Sequence, residues 1–105
     1  MLFAEDFYGG SARAGTRAFV AAFLQTYDEA PGVAEAQAYD AALLARRALD
    51  TGARSRSDLL RQLRGLGPVE AATGELKVTA EGVQRIPFLL QVYDGKLQEV
   101  SAPPA

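Results

Sequence analysis

The sequence contains no cysteine and no histidine, and these two absences exclude several kinds of chemistry. Without cysteine the chain has neither a disulfide nor a thiolate nucleophile, and without histidine it lacks the commonest general base of enzymes. Zinc sites depend almost entirely on the same two residue types. We therefore expect no catalytic residue, no metal site and no cofactor in these 105 residues.

The sequence also lacks a strong excess of either charge and any long apolar run. Its formal net charge is −2, which does not suit bulk binding to nucleic acid. No apolar run approaches the roughly 20 residues that cross a bilayer. Residues 2–4 lead directly into Glu5 and Asp6, so no secretion signal is recognisable in this chain. With 49% hydrophobic residues, residues 1–100 are expected to form a single domain and residues 101–105 a flexible tail.

Apolar periodicity predicts three helices in the first two thirds of the chain. The first spans about residues 12–27 and is capped by Ser11, with its apolar stripe starting at Phe19. The second spans residues 34–51. The third follows Ser55, which forms a capping-box pattern with Asp58, and continues to about residue 64.

The second helix is the element around which we expect the rest to be organised. It is apolar over more than half of its circumference and rich in alanine, which predicts burial on more than one side. Gly52 follows the helix at the position where a residue in the left-handed conformation would end it. Asp40 interrupts the apolar surface in mid-helix, and we interpret it as a structural hydrogen-bond acceptor or an exposed residue rather than a catalytic one.

Alternating residues after Pro68 predict strands at 75–79, 88–93 and 96–100, and Asp94-Gly95 between the last two is a strong hairpin signal. Strand 88–93 is apolar enough to be covered on both faces. The predicted fold class is α/β (α+β as an isolated fragment), with about three helices packed on a small sheet that includes the C-terminal hairpin.

Two local patterns leave a functional and a structural interpretation open. Gly9-Gly10-Ser11 before the first helix could bind an anion or form a plain loop. The basic residues of segment 46–64 could meet an acidic partner, anionic lipid or RNA, or they could form a solvated face. The arginines concerned are Arg46, Arg47, Arg54, Arg56, Arg61 and Arg64.

Five segments resemble, in order and spacing, the C-terminal part of type I periplasmic binding proteins, the receptors of branched-chain amino-acid ABC transporters. The matching residues are Arg17–Tyr27, the Ala-Tyr-Asp-Ala motif at Ala38–Ala41, Ser57–Leu63, Thr73–Val78 and Arg85–Lys96. The likeness runs from about residue 7 to residue 100. It implies one part of a non-enzymatic, two-lobed protein roughly three times as long.

That resemblance implies recognition of a small solute, such as an amino acid, by closure of two lobes. The partners would be the solute and an ABC permease, and the location would be the periplasm. The residues that could face the cleft lie at the start of the second helix: Val33, Ala34, Glu35 and Gln37.

The same fold also resembles the C-terminal module of outer-membrane lipoproteins that activate penicillin-binding proteins. That alternative implies a scaffold that binds envelope proteins, with Arg54, Arg56 and Arg61 as candidates for the partner surface. In either case we expect an exposed sheet edge through which the chain could self-associate.

Overall fold

Three helices and two antiparallel sheets make up the fold in the computed structural model, which describes residues 2–100. The predicted tail at 101–105 lies outside the described residues. The elements are β1 (Leu2–Glu5), α1 (Ala14–Tyr27), α2 (Val33–Asp50), α3 (Arg56–Gly65), β2 (Val69–Ala71), β3 (Gly74–Thr79), β4 (Gly82–Arg85), β5 (Phe88–Tyr93) and β6 (Lys96–Glu99).

The strands form two sheets, where the sequence predicts one. Strands β2, β3 and β4 form a meander that packs with the three helices, and we call this assembly the helical body. Strands β1, β5 and β6 form a second sheet, which we call the ribbon sheet. Its β5–β6 hairpin has the predicted turn, with φ of 52° at Asp94 and 74° at Gly95. The predicted α+β class is confirmed, but the hairpin belongs to the ribbon sheet and not to the sheet that packs with the helices.

Helix α2 is buried along one stripe only. Residues four apart form this stripe: Ala36, Asp40, Leu44 and Ala48. Tyr39 and Leu49, on other sides of the helix, are 47% and 54% exposed. The predicted burial on more than one side is therefore wrong for this chain, because the neighbouring side is only partly covered: Tyr39 packs against the Phe19 ring and Leu43 is half-buried.

Two small apolar clusters stabilise the helical body. One joins α2 to the meander through Leu44, Val69, Ala71 and Leu76. The other joins α1 to α2 and to the β2–β3 turn through Phe19, Ala36 and Ala72, with Phe7, Val20 and Phe23 packed against it. The apolar stripe predicted for α1 is buried only near its start, since Leu24 and Tyr27 are 44% and 62% exposed.

The helix ends agree with the sequence at α3 and differ at α1. The hydroxyl of Ser55 accepts the Asp58 N–H at 3.1 Å, as predicted. Ser11 does not cap α1, which begins three residues later; its hydroxyl instead donates to Glu99 Oε1 at 2.6 Å. The glycine pair at 9–10 is therefore also separated from the helix, which removes the geometry of an anion site there.

Strand β5 is covered on one face only, contrary to the prediction. Phe88 and Leu90 point to the covered face and are 0% and 2% exposed. Leu89 and Tyr93 point the other way and are 41% and 64% exposed. The ribbon sheet therefore presents an uncovered apolar face in this chain.

Candidate functional sites

The four predicted cleft residues lie together on the first turns of α2 and are all exposed: Val33, Ala34, Glu35 and Gln37. Glu35 has a structural contact, because its carboxylate accepts the Gly32 N–H at 3.3 Å. A carboxylate in the first turn also interacts favourably with the helix dipole. Gln37 is the other polar side chain of the set, and it is exposed.

Two of the three predicted partner-surface arginines, Arg54 and Arg56, lie where the link between α2 and α3 meets α3. Arg54 and Arg56 line an open groove of about 480 Å³ together with the apolar side chains of Leu49 and Leu59. Arg61 lies farther along α3, where it is 3.6 Å from a carboxylate oxygen of Asp58. The structure thus places two of the three arginines on one groove.

Asp40 is the acceptor at the centre of the helical body. Its side chain accepts three hydrogen bonds from the β2–β3 turn: Ala72 N–H at 2.7 Å, Thr73 N–H at 3.0 Å and Thr73 Oγ1–H at 2.6 Å. Asp40 is 2% exposed and both turn residues are fully buried. The interpretation of Asp40 as a structural hydrogen-bond acceptor is confirmed, and two of its three donors are buried backbone N–H groups that need a partner.

The first turn of α1 contacts the same β2–β3 turn. The hydroxyl of Thr16 donates to Ala72 O at 2.8 Å, and the Gly15 N–H donates to Glu70 Oε1 at 3.0 Å. A Cβ at Gly15 would lie 2.4 Å from Ala71 O, so only glycine permits this approach. Helices α1 and α2 are therefore both fixed to one turn by polar contacts.

Arg13, just before α1, connects the helical body to the ribbon sheet. Its guanidinium donates to Ile86 O and to Pro87 O, both at 2.9 Å, and its central carbon lies 3.8 Å from the centre of the Phe88 ring. A Cβ on Gly74 of the helical body would lie 2.6 Å from Nη1, so Arg13 also contacts that sheet.

The sequence prediction missed Arg13, although a signal was present. A cation at the start of a helix interacts unfavourably with the helix dipole, so an arginine at this position indicates another role. Aromatic packing crosses the same boundary, since the Phe7 ring makes edge contacts with Phe19 of α1 and Phe88 of β5 at 6.1 and 6.4 Å.

Other classes of site are not seen in residues 2–100. No three potential metal ligands cluster within that range. The helices that the structure describes there are also not long and apolar enough to cross a membrane.

Solved structures of transporter receptors share this fold. A protein assigned as a branched-chain amino acid ABC transporter from Rhodospirillum rubrum matches 94% of the chain with a TM-score of 0.84 and 22% identity. An ABC transporter substrate-binding protein from Desulfitobacterium hafniense, in complex with Leu, matches 94% with a TM-score of 0.76 and 27% identity. An ABC transporter solute-binding protein from Rhodopseudomonas palustris, in complex with 3,4-dihydroxybenzoic acid, matches 95% with a TM-score of 0.76 and 21% identity.

The chain therefore has the fold of one part of a type I periplasmic binding protein. It spans about 30% of the length of these three proteins. No protein-family model and no curated protein matches the sequence.

Proposed function

We propose that this chain is part of a non-enzymatic periplasmic receptor of an ABC transporter, which binds a small solute between two lobes. The observation that carries the proposal is the match of 94% of the chain to transporter solute-binding proteins, together with its division into a helical body and a ribbon sheet. The solute would favour the closed arrangement because it contacts both lobes there. The matched structures are solute-binding proteins, which favours this function over the lipoprotein scaffold.

The solute we propose is a small carboxylic acid. The D. hafniense protein is in complex with Leu and the R. palustris protein with 3,4-dihydroxybenzoic acid, and a carboxylate is the group that these two ligands share. Chemistry beyond the carboxylate differs between them. The proposal for this chain is therefore limited to the acid group.

Thermal-shift measurements on the complete receptor test this proposal. Leucine, isoleucine, benzoate and 3,4-dihydroxybenzoate are compared with leucinamide and benzamide, which lack the acid. A ligand at 100 times its Kd should add about 2.7 kcal/mol to the free energy of unfolding. We expect at least one acid to stabilise the receptor and its amide not to do so. Stabilisation by acid and amide alike, or by no member of the panel, would contradict the proposal.

Within the receptor, we propose that Val33, Ala34, Glu35 and Gln37 face the cleft. Gln37→Ala provides the cleaner test, because the Glu35 carboxylate also accepts a backbone N–H at the helix start. We expect a weaker affinity for the solute with an unchanged melting temperature of the free receptor. Gln25→Ala, an exposed glutamine on α1, is the matched control. If the two variants bound the solute equally tightly, the start of α2 would not face the cleft.

The transporter's membrane component is the proposed partner of the groove lined by Arg54 and Arg56. Two cations beside exposed apolar surface suit an acidic segment that carries an apolar side chain. We expect Arg54→Glu with Arg56→Glu to reduce co-purification of the receptor with the permease, whereas Arg17→Glu on α1 does not. Arg61, which faces Asp58 and does not line the groove, should have the smaller effect.

The isolated chain should self-associate through the ribbon sheet. In this chain β1 and β6 are the outer strands of that sheet, and its open face includes Leu89 and Tyr93. Sedimentation velocity over a range of concentrations measures the association. We expect Leu89→Lys to reduce it, whereas Leu60→Lys, at a similarly exposed leucine on α3, leaves it unchanged. A wild-type chain that stays monomeric throughout would contradict this expectation.

A further inference from the structure

Two chain segments, residues 6–13 and 86–87, connect the helical body to the ribbon sheet. Short connections of this kind allow the two parts to change their relative orientation unless side chains fix it. Arg13 lies at the end of the first segment and donates to both carbonyls of the second. One side chain therefore ties the two connections to each other.

Arginine is suited to this position by its shape. Its planar guanidinium carries donors in a fixed fork, which match the two successive carbonyls of Ile86 and Pro87 while the flat face lies on the Phe88 ring. The side chain is only 8% exposed. A lysine would keep the charge but could not make the same set of contacts.

The remaining contact of Arg13 depends on the angle between the two parts. Its Nε lies 3.4 Å from Glu99 Oε2 of the ribbon sheet, and within residues 2–100 neither atom has a hydrogen-bond partner. The other oxygen of Glu99 is held by the Ser11 hydroxyl at 2.6 Å. A hydrogen bond is directional, so a small rotation of the ribbon sheet would either form the missing Arg13–Glu99 bond or separate the pair.

We propose that Arg13 is a positioning residue that sets the orientation of the ribbon sheet relative to the helical body. This deepens the proposed function, on which its role in the receptor rests: by favouring one orientation, Arg13 would set the fraction of receptor that is ready to close on its solute. Apparent affinity depends directly on that fraction.

Distances between spin labels on the isolated chain test the orientation without any ligand. The chain contains no cysteine, so introduced cysteines are its only labelling sites. One pair, Ala42→Cys on α2 with Lys96→Cys on β6, reports on the angle between the two parts. A second pair, Ala21→Cys with Ala42→Cys, lies within the helical body and reports on its integrity. All three positions are exposed.

We expect Arg13→Gln to broaden or shift the distance distribution of the first pair and to leave that of the second unchanged. Arg13→Lys and Glu99→Gln should have smaller effects in the same direction, and they replace Arg13→Gln if it unfolds the chain. Arg17→Gln, at an exposed arginine one turn along α1, is the matched control. An unchanged first distribution in a folded Arg13 variant, or equal changes in both pairs, would overturn the proposal.

Solute affinity of the complete receptor gives the second measurement. We expect Arg13→Gln to change the apparent Kd by about fivefold or more, since coupling free energies between a site and a conformational equilibrium are typically of that size. Arg17→Gln should leave it unchanged. If no solute binds at all, the proposed function fails while the spin-label distances still decide the role of Arg13.

Discussion

Replacing Asp40 should be among the most damaging single substitutions in this chain. Asp40→Ala removes the acceptor of three hydrogen bonds and leaves the backbone N–H groups of Ala72 and Thr73 without a partner in a turn that is fully buried. An unsatisfied buried donor costs about 1–3 kcal/mol. Two such donors predict a loss of about 2–6 kcal/mol. The Thr73 hydroxyl is not counted, because it can rotate toward another acceptor.

Milder variants give a graded series that does not depend on Asp40→Ala remaining folded. Asp40→Asn keeps one oxygen but turns an NH₂ group toward a donor, so we expect a loss of about 1–3 kcal/mol. Thr73→Ala removes one of the three bonds and should cost about 1 kcal/mol. Asp50→Asn is the matched control, because Asp50 is an exposed residue 4.0 Å from Arg46 and such surface pairs contribute about 0–1 kcal/mol.

Urea unfolding at constant m-value measures these differences. For a chain of this size, each kcal/mol corresponds to roughly 4–8 °C in melting temperature. The expected order of destabilisation is Asp40→Ala, Asp40→Asn, Thr73→Ala and Asp50→Asn. If Asp40→Ala and Asp50→Asn differed by less than about 0.5 kcal/mol in the free energy of unfolding, the buried hydrogen bonds of Asp40 would not stabilise the chain.

Two further predictions concern local geometry. Gly15→Ala should lower the free energy of unfolding by about 1–3 kcal/mol because its Cβ would clash with Ala71 O. Gly65→Ala, at a helical glycine with open space around it, should raise the free energy of unfolding by up to about 1 kcal/mol in the same urea assay. If both variants lost the same stability, the clash at Gly15 would be refuted. Ser55→Ala should cost about 1 kcal/mol, since it leaves the Asp58 N–H uncapped; an unchanged unfolding midpoint would contradict this.

Features with a local cause could be predicted from the sequence. The Ser55 cap and the Asp94-Gly95 turn depend on residues within a few positions of each other, and both are present. The division into two sheets could not be predicted. Strand β1 pairs with β5, so that Leu2 lies opposite Gln91, and alternation of residues shows which face is apolar but not which distant strand is the partner.

The candidate sites also depend on contacts between residues that are far apart in the sequence. The periodicity of α2 indicates that Asp40 needs a partner or an exposed position, but its donors lie more than 30 residues farther along the chain. The cleft residues at the start of α2 come from the family resemblance and stay a prediction. Arg13 was missed because its contacts at residues 86, 87 and 99 are brought to it only by the fold.

The organising element of this chain is the β2–β3 turn, rather than the alanine-rich helix. Of the apolar residues that are buried within residues 2–100, five are alanines, which remove little surface from water: Ala36, Ala48, Ala53, Ala71 and Ala72. In this chain the other sides of α2 are largely exposed. The turn at residues 71–74 instead receives Thr16 from α1 and Asp40 from α2, and Arg13 packs against its last residue. Because hydrogen bonds are directional, the four that Thr16 and Asp40 make with this turn fix α1 and α2 in place where so small an apolar core could not.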